Sequence, residues 1–227
     1  MLSEKKSEFL AGTISALPIV MGYLPIGIAY GILAIRSGLS IFQVVSMSLM
    51  VFAGSSQFIA IDMIKANSDL FSIVLTTFLV NLRHLLLSAS MALKLKESPD
   101  FLIPILSFLI TDESFAISIV SIDKYRYKYY YFLGLGLTAY ASWVLSSFLG
   151  AIIGFFIYKL DISALDFVLP AMFIVLLVLQ IKRKMDVLIA IISGVLSIVF
   201  SYLTSGNWNI ILATVLTATL GVILDDD

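Results

Sequence analysis

Apolar residues fill this chain in long stretches, and only short polar segments interrupt them. A helix needs about 20 apolar residues to cross a bilayer. Eight stretches qualify: 10–35, 41–63, 70–93, 101–121, 129–158, 163–181, 186–203 and 208–224. Turn or charge signals separate them, from Arg36-Ser37-Gly38 through Lys94 to Asp100 and Asp123 to Lys128, ending at Ser205-Gly206-Asn207. The pattern predicts an all-α polytopic integral membrane protein with about eight transmembrane helices in one domain, residues 1–227.

Composition agrees with that pattern. Hydrophobic residues make up 60% of the chain and charged residues 13%, and the mean hydropathy is +1.07. A soluble domain averages about 45–50% apolar and about 25% charged, so a globule of this composition would expose large apolar patches. There are no cysteines, which excludes disulfides and thiolate chemistry. A Lys pair precedes the first apolar stretch as in a signal peptide, but Pro18 and Pro25 interrupt that stretch and no small-residue cleavage site follows. The segment reads as an uncleaved first span.

If every stretch crosses and the N-terminus lies inside, the inner segments hold Lys5, Lys6, Lys65, Lys124, Arg126, Lys128, Lys182, Arg183 and Lys184. The outer segments hold Arg36, Lys94, Lys96 and Lys159. This bias predicts both termini in the cytoplasm. Tyr125, Tyr127, Tyr129, Tyr130 and Tyr131 read as an interfacial aromatic belt beside the basic residues.

Polar side chains inside the stretches point to chemistry. Asn81, Arg83 and His84 interrupt the third stretch, and Asp112 and Glu113 the fourth. A charge in hydrocarbon costs several kcal/mol unless it is paired or hydrated. Thr77, Asn81, His84 and Ser88 share a helix face, with Arg83 on its shoulder. For Thr77 and Ser88 a helix–helix hydrogen-bonding seam suffices; Arg83 has no such cheap explanation. In the fourth stretch Asp112 and Glu113 lie off the stripe formed by Ser107, Thr111, Ser114, Ser118 and Ser121, so the helix is expected to break near Thr111-Asp112, with Asp112 capping a half-helix. The first stretch is punctured at Pro18, Gly22, Pro25 and Gly27. It is expected to kink or unwind around Met21-Gly22-Tyr23. The second carries Ser55, Ser56 and Gln57, polar groups able to face a cavity. In the fifth, Gly134, Thr138, Ser142, Ser146, Gly150 and Gly154 recur every four residues, a small-residue ridge for packing and not for chemistry.

With His84 neutral, Arg83, Asp112 and Glu113 sum to −1. One proton, on an acid or on His84, brings the sum to zero, which suggests proton-coupled transport with Glu113 or His84 as carrier. A zwitterionic amino acid needs a donor for its carboxylate, available from Arg83, Ser55, Ser56 or an unwound first span. It needs an acceptor for its ammonium, available from Asp112 or Glu113.

Four segments carry a resemblance. Residues 17–31 (LPIVMGYLPIGIAYG), Phe52-Ala53-Gly54-Ser55-Ser56-Gln57-Phe58, Asn81-Leu82-Arg83-His84 and Thr111-Asp112-Glu113-Ser114-Phe115-Ala116 resemble, in order and spacing, the large subunit of AzlC-type branched-chain amino-acid exporters. The resemblance implies a cytoplasmic-membrane exporter of branched-chain or related hydrophobic amino acids. It also implies a small, separately encoded AzlD-type membrane subunit, with membrane lipid as the other neighbour and no nucleic acid. From Asp161 onward it rests mainly on hydropathy and Leu169-Pro170.

An intramembrane enzyme and an ion channel are the rival readings, and a scaffold without transport is the plainest. The chain has no G-x-S-x-G elbow and no H-E-x-x-H motif. With one His and no Cys, a zinc site would need carboxylates alone beside His84. Neither catalytic residues nor a cofactor or metal is expected.

Overall fold

The computed structural model describes residues 2–157, 183–204 and 208–225, with Phe167, Pro170, Ala171, Ile174, Leu177, Val178 and Ile181 between them. Among the described residues the chain is helical and has no strand. In order, the α-helices are α1 Leu2–Ser15, α2 Leu17–Arg36, α3 Ile41–Met50, α4 Gly54–Lys65, α5 Leu70–Asn81, α6 Arg83–Lys94, α7 Ile103–Phe108, α8 Asp112–Ser121, α9 Lys128–Phe156, α10 Lys184–Leu203 and α11 Trp208–Asp225. The expected span 163–181 lies outside the continuously described residues. Among the described residues, four helical segments are long and apolar enough to cross a bilayer: Leu17–Arg36, Leu70–Lys94, Lys128–Phe156 and Lys184–Leu203.

The core is built on α9. Its small-residue ridge packs inside this chain, against α1 and α2. A Cβ on Gly134 would lie 2.0 Å from Phe9 O, one on Gly150 2.1 Å from Ile28 O, and one on Gly31 2.3 Å from Ser147 O. Backbones approach this closely only where side chains are absent. Hence α1–α2 runs parallel to α9, with Glu8 beside Arg126 and Tyr127 at one end and Arg36 bonded to Ile157 O at the other.

Pro18, Gly22, Pro25 and Gly27 do not unwind the first stretch, contrary to expectation: all four lie inside the continuous helix α2. Pro18 sits in the first helical turn, where no N–H is needed. Gly22 has open space around it, and Gly27 is the seat of Ser146. The only interruption is a turn at Ala16, which keeps helical angles (φ −77°, ψ −13°) and bonds to Gly12 O at 3.0 Å.

The second and fourth stretches reverse direction instead of crossing. After α3 the chain is extended at Val51 and Ala53, and then α4 returns the way α3 came. Gln57 Nε2 donates to Ser48 Oγ at 3.0 Å, although nine residues of continuous helix would separate them by about 13 Å. Phe52 packs near Tyr23, whereas Phe58 packs on Tyr30, two turns nearer the Arg36 end. Likewise α7 and α8 enter and leave at one end. Lys94, before α7, and Lys128, at the start of α9, both pair with Asp123, which follows α8. The α5–α6 segment runs the full length between these hairpins, from the Lys65 end to the Lys94 end.

The alternating in–out count therefore fails at 41–63 and 101–121. It assumed that each apolar stretch crosses, whereas extended residues at mid-depth let a stretch turn back. Lys94 and Lys96 share an end with Lys5, Lys124, Arg126 and Lys128. Lys5 lies over the Tyr127 and Tyr130 rings, 5.3 Å from each centroid. Lys65 moves to the Arg36 end. The belt around Tyr127 to Tyr130 sits at the basic end. Pairing of α10 with α11 includes Asn209 Nδ2 donating to Ser197 O at 3.4 Å. None of the described residues of α10 is buried by the chain.

Candidate functional site

The two hairpin tips meet. Residues 52–55 of the α3–α4 hairpin and 111–113 of the α7–α8 hairpin line one cavity of about 50 Å³, together with Tyr23 and Ile26 of α2, Arg83 and His84 of α6, and Trp143 of α9.

Each tip has a local cause. Thr111 is extended (φ −126°, ψ 171°) and caps α8: its Oγ1 accepts from Ser114 N at 3.2 Å while Ser114 Oγ accepts from Thr111 N at 2.8 Å. This reciprocal pair satisfies two donors at the helix start. It places Asp112 and Glu113 in the first turn, at the positive end of the helix dipole. The other tip has no side-chain cap, because Ala53 precedes Gly54. Ser56 Oγ instead donates to Ala53 O at 2.9 Å, and Tyr140 Oη donates to Leu49 O at 2.8 Å, one of the orphan carbonyls where α3 ends.

Charges named from the sequence meet here. Arg83 Nη1 pairs with Asp112 Oδ2 at 2.7 Å, and Nη2 bonds to Ser55 Oγ. One guanidinium thus ties together the tips of both hairpins. Glu113 Oε2 accepts from Tyr23 Oη at 2.7 Å, and Tyr23 Oη lies 3.2 Å from Thr111 Oγ1. Glu113 forms no ion pair among the described residues; its partner is the Tyr23 hydroxyl.

Of the remaining candidates, Ser55, Thr111 and His84 line the cavity, whereas Asn81, Ser56 and Gln57 lie behind it. Asn81 Nδ2 donates to Ser56 Oγ at 3.1 Å. Gln57, 1% exposed, donates to Ser48 and accepts from Trp143 Nε1 at 2.8 Å. Tyr23, Phe52 and Trp143 were not singled out as site residues by sequence reasoning. Tyr23 and Phe52 stand within the matched segments 17–31 and 52–58, a usable signal. Nothing in the local pattern of α9 distinguishes Trp143.

The cavity has two unlike walls. Arg83, His84, Asp112 and Glu113, from α6 and α8, form a polar one. Tyr23, Ile26, Phe52 and Trp143 form an aromatic one. Such lining suits a molecule with an ionic head and an apolar body. At about 50 Å³ it holds a few waters, well below the ~300 Å³ at which small-molecule pockets begin. Admitting a molecule of that size requires the tips to separate.

A family model described as AzlC protein matches residues 18–157. The chain is 32% identical over 228 residues to the branched-chain amino acid transport protein AzlC of Bacillus subtilis, covering 96% of this chain and 87% of that one. It is 31% identical to inner membrane protein YgaZ of Escherichia coli over 78% of this chain and 75% of the relative. An uncharacterized membrane protein of Archaeoglobus fulgidus is 35% identical over 92% of both chains. No solved structure matches.

Proposed function

The chain belongs to the AzlC family, and from that premise we propose that it exports branched-chain or related hydrophobic amino acids across the cytoplasmic membrane, coupled to protons, as the large subunit of a two-component exporter. The second component is a small AzlD-type membrane subunit. The observation that carries this reading is the meeting of two hairpin tips, entering from opposite ends, at one cavity with a charged and an aromatic wall. Extended backbone is tolerated at membrane depth where it lines a cavity, and transporters built on discontinuous helices bind substrate there.

The basic end, holding Lys5, Lys6, Lys94, Lys96, Lys124, Arg126 and Lys128, is the cytoplasmic one. The N-terminus lies there, and the C-terminus is assigned to the same side. A hairpin opening toward each face supplies two gates to one site. Arg83 and Asp112 neutralise each other, which leaves Glu113 as the cation-accepting group. A proton or the substrate ammonium occupies it in turn, displacing the Tyr23 hydroxyl. The substrate carboxylate takes the Ser55 end of Arg83 and the uncapped start of α4. These groups serve binding and coupling, and no catalytic step is assigned to them.

The test is efflux from vesicles preloaded with leucine, isoleucine, valine or methionine, with and without the small subunit, under an imposed pH gradient. Wild type is expected to respond to the gradient, and Glu113→Gln to carry substrate without that response. A variant as gradient-dependent as wild type removes Glu113 from the coupling. Conductance that never saturates with amino acid favours a channel instead.

A further inference from the structure

We infer that Trp143 sets which amino-acid side chains the cavity takes, and that Gln57 is the positioning residue that holds its ring; this rests on the amino-acid transport reading above.

The ring is 2% exposed and lines the cavity. Its only polar atom is already used, because Nε1 donates to Gln57 Oε1 at 2.8 Å. An indole with its N–H engaged offers the cavity hydrocarbon surface alone. That surface accepts an apolar side chain and gives a polar one nothing to bond.

The ring is also locked. Gln57 is fixed at its other end by donating to Ser48 Oγ at 3.0 Å, and both residues are fully buried. Tyr30 stacks on the indole with centroids 6.0 Å apart, and Tyr23 meets it edge-on at 5.3 Å. Its far edge presses on the first residue of α4: a Cβ on Gly54 would lie 2.7 Å from Cη2. Packed in this way, the ring is held by neighbours on its face, its edge and its N–H, and resists displacement by a larger substrate. Tyr23 connects the two walls, since its hydroxyl reaches Glu113 while its ring touches Trp143. An ammonium at Glu113 therefore places the substrate side chain toward the indole.

The experiment loads vesicles with valine, leucine and phenylalanine together and reads the ratios of their efflux. A ratio taken within one vesicle preparation does not depend on how much protein folded. Trp143→Phe is expected to shift preference toward the larger side chains by about tenfold, within the range that one or two methylene-sized changes produce in apolar pockets. Gln57→Leu, which keeps the ring but frees it, is expected to shift the ratios the same way by less. Unchanged ratios in transporting variants overturn the assignment; if Trp143→Phe yields no protein, the Gln57→Leu ratio decides alone. The chain has two tryptophans, so Trp208→Phe leaves Trp143 as the sole indole. Leucine added to that purified variant is expected to change its emission saturably, and a flat response also overturns the inference. A wild type that moves no amino acid, while the small subunit is present, defeats the transport reading itself.

Discussion

Arg83 and Asp112 should differ in what their loss costs. The pair is 2.7 Å apart, with side chains 25% and 26% exposed. Two unit charges about 4 Å apart at an effective dielectric of 20 attract by about 4 kcal/mol. Removing one partner of a buried pair costs about 3–5 kcal/mol; a quarter exposure lowers the expectation to about 2–3. The two substitutions then diverge. Asp112→Asn leaves a guanidinium that cannot discharge, held by Ser55 and a neutral amide oxygen, and is expected to cost about 3 kcal/mol. Arg83→Gln leaves a carboxylate that keeps the α8 dipole, worth up to about 1 kcal/mol, and that can take a proton. It is expected to cost about 2 kcal/mol. The double variant should cost about 3 rather than 5, a coupling of about 2 kcal/mol. Unfolding in mixed micelles, titrated with SDS and followed by tryptophan fluorescence, reads all four proteins. Strictly additive costs, or an Arg83 variant less stable than the Asp112 variant, would refute this account of how the hairpin tips are held.

Gly31→Ala puts a methyl 2.3 Å from Ser147 O and is expected to lower stability by about 1–3 kcal/mol; Gly22→Ala, with open space around it, should gain up to about 1 kcal/mol of helix propensity in the same unfolding assay. Thr111→Ala removes the α8 cap and should cost about 1 kcal/mol, with faster amide exchange at Asp112 to Ser114. Hydrogen bonds from Lys128 and then Lys94 hold the exposed Asp123 carboxyl below its usual value of 3.8. A depressed acid contributes stability above its unfolded pKa and loses it as pH falls through the folded one. The link between α6 and α9 should therefore persist down to about pH 4 and loosen below, and Asp123→Asn should abolish that pH dependence in the exchange of residues 124–128.

Much of the site was legible because charge in oil demands a reason. Arg83, Asp112 and Glu113 stand out in any apolar run, and the energy that makes them conspicuous also forces them to find partners. The position of Asp112 and Glu113 off the Ser107–Ser121 stripe marked where the fourth stretch breaks, but the cap is Thr111 and not Asp112, which is the first residue inside α8. Pro18 and Pro25 misled, for they did not unwind the first stretch: Pro18 sits in the first turn of α2, where no N–H is needed, and the helix continues through Pro25. Gln57 misled differently: it is polar and intramembrane as expected, but its amide is spent on Ser48 and Trp143 behind the cavity.

The amino-acid sequence alone determined that this chain lives in lipid, that its backbone is helical, and which ionisable groups must meet. Lipid leaves no other solvent for that composition and no other way to satisfy backbone hydrogen bonds. Only the tertiary structure decided which apolar stretches cross and which turn back. A stretch of about 20 apolar residues has the same hydropathy whether it continues or reverses at a few non-helical residues; the outcome depends on distant partners. Tyr30 for Phe58, Asp123 for Lys94 and Lys128, and the bare face of α9 supply those partners. They brought Trp143 to the cavity as well, through packing that local periodicity does not record.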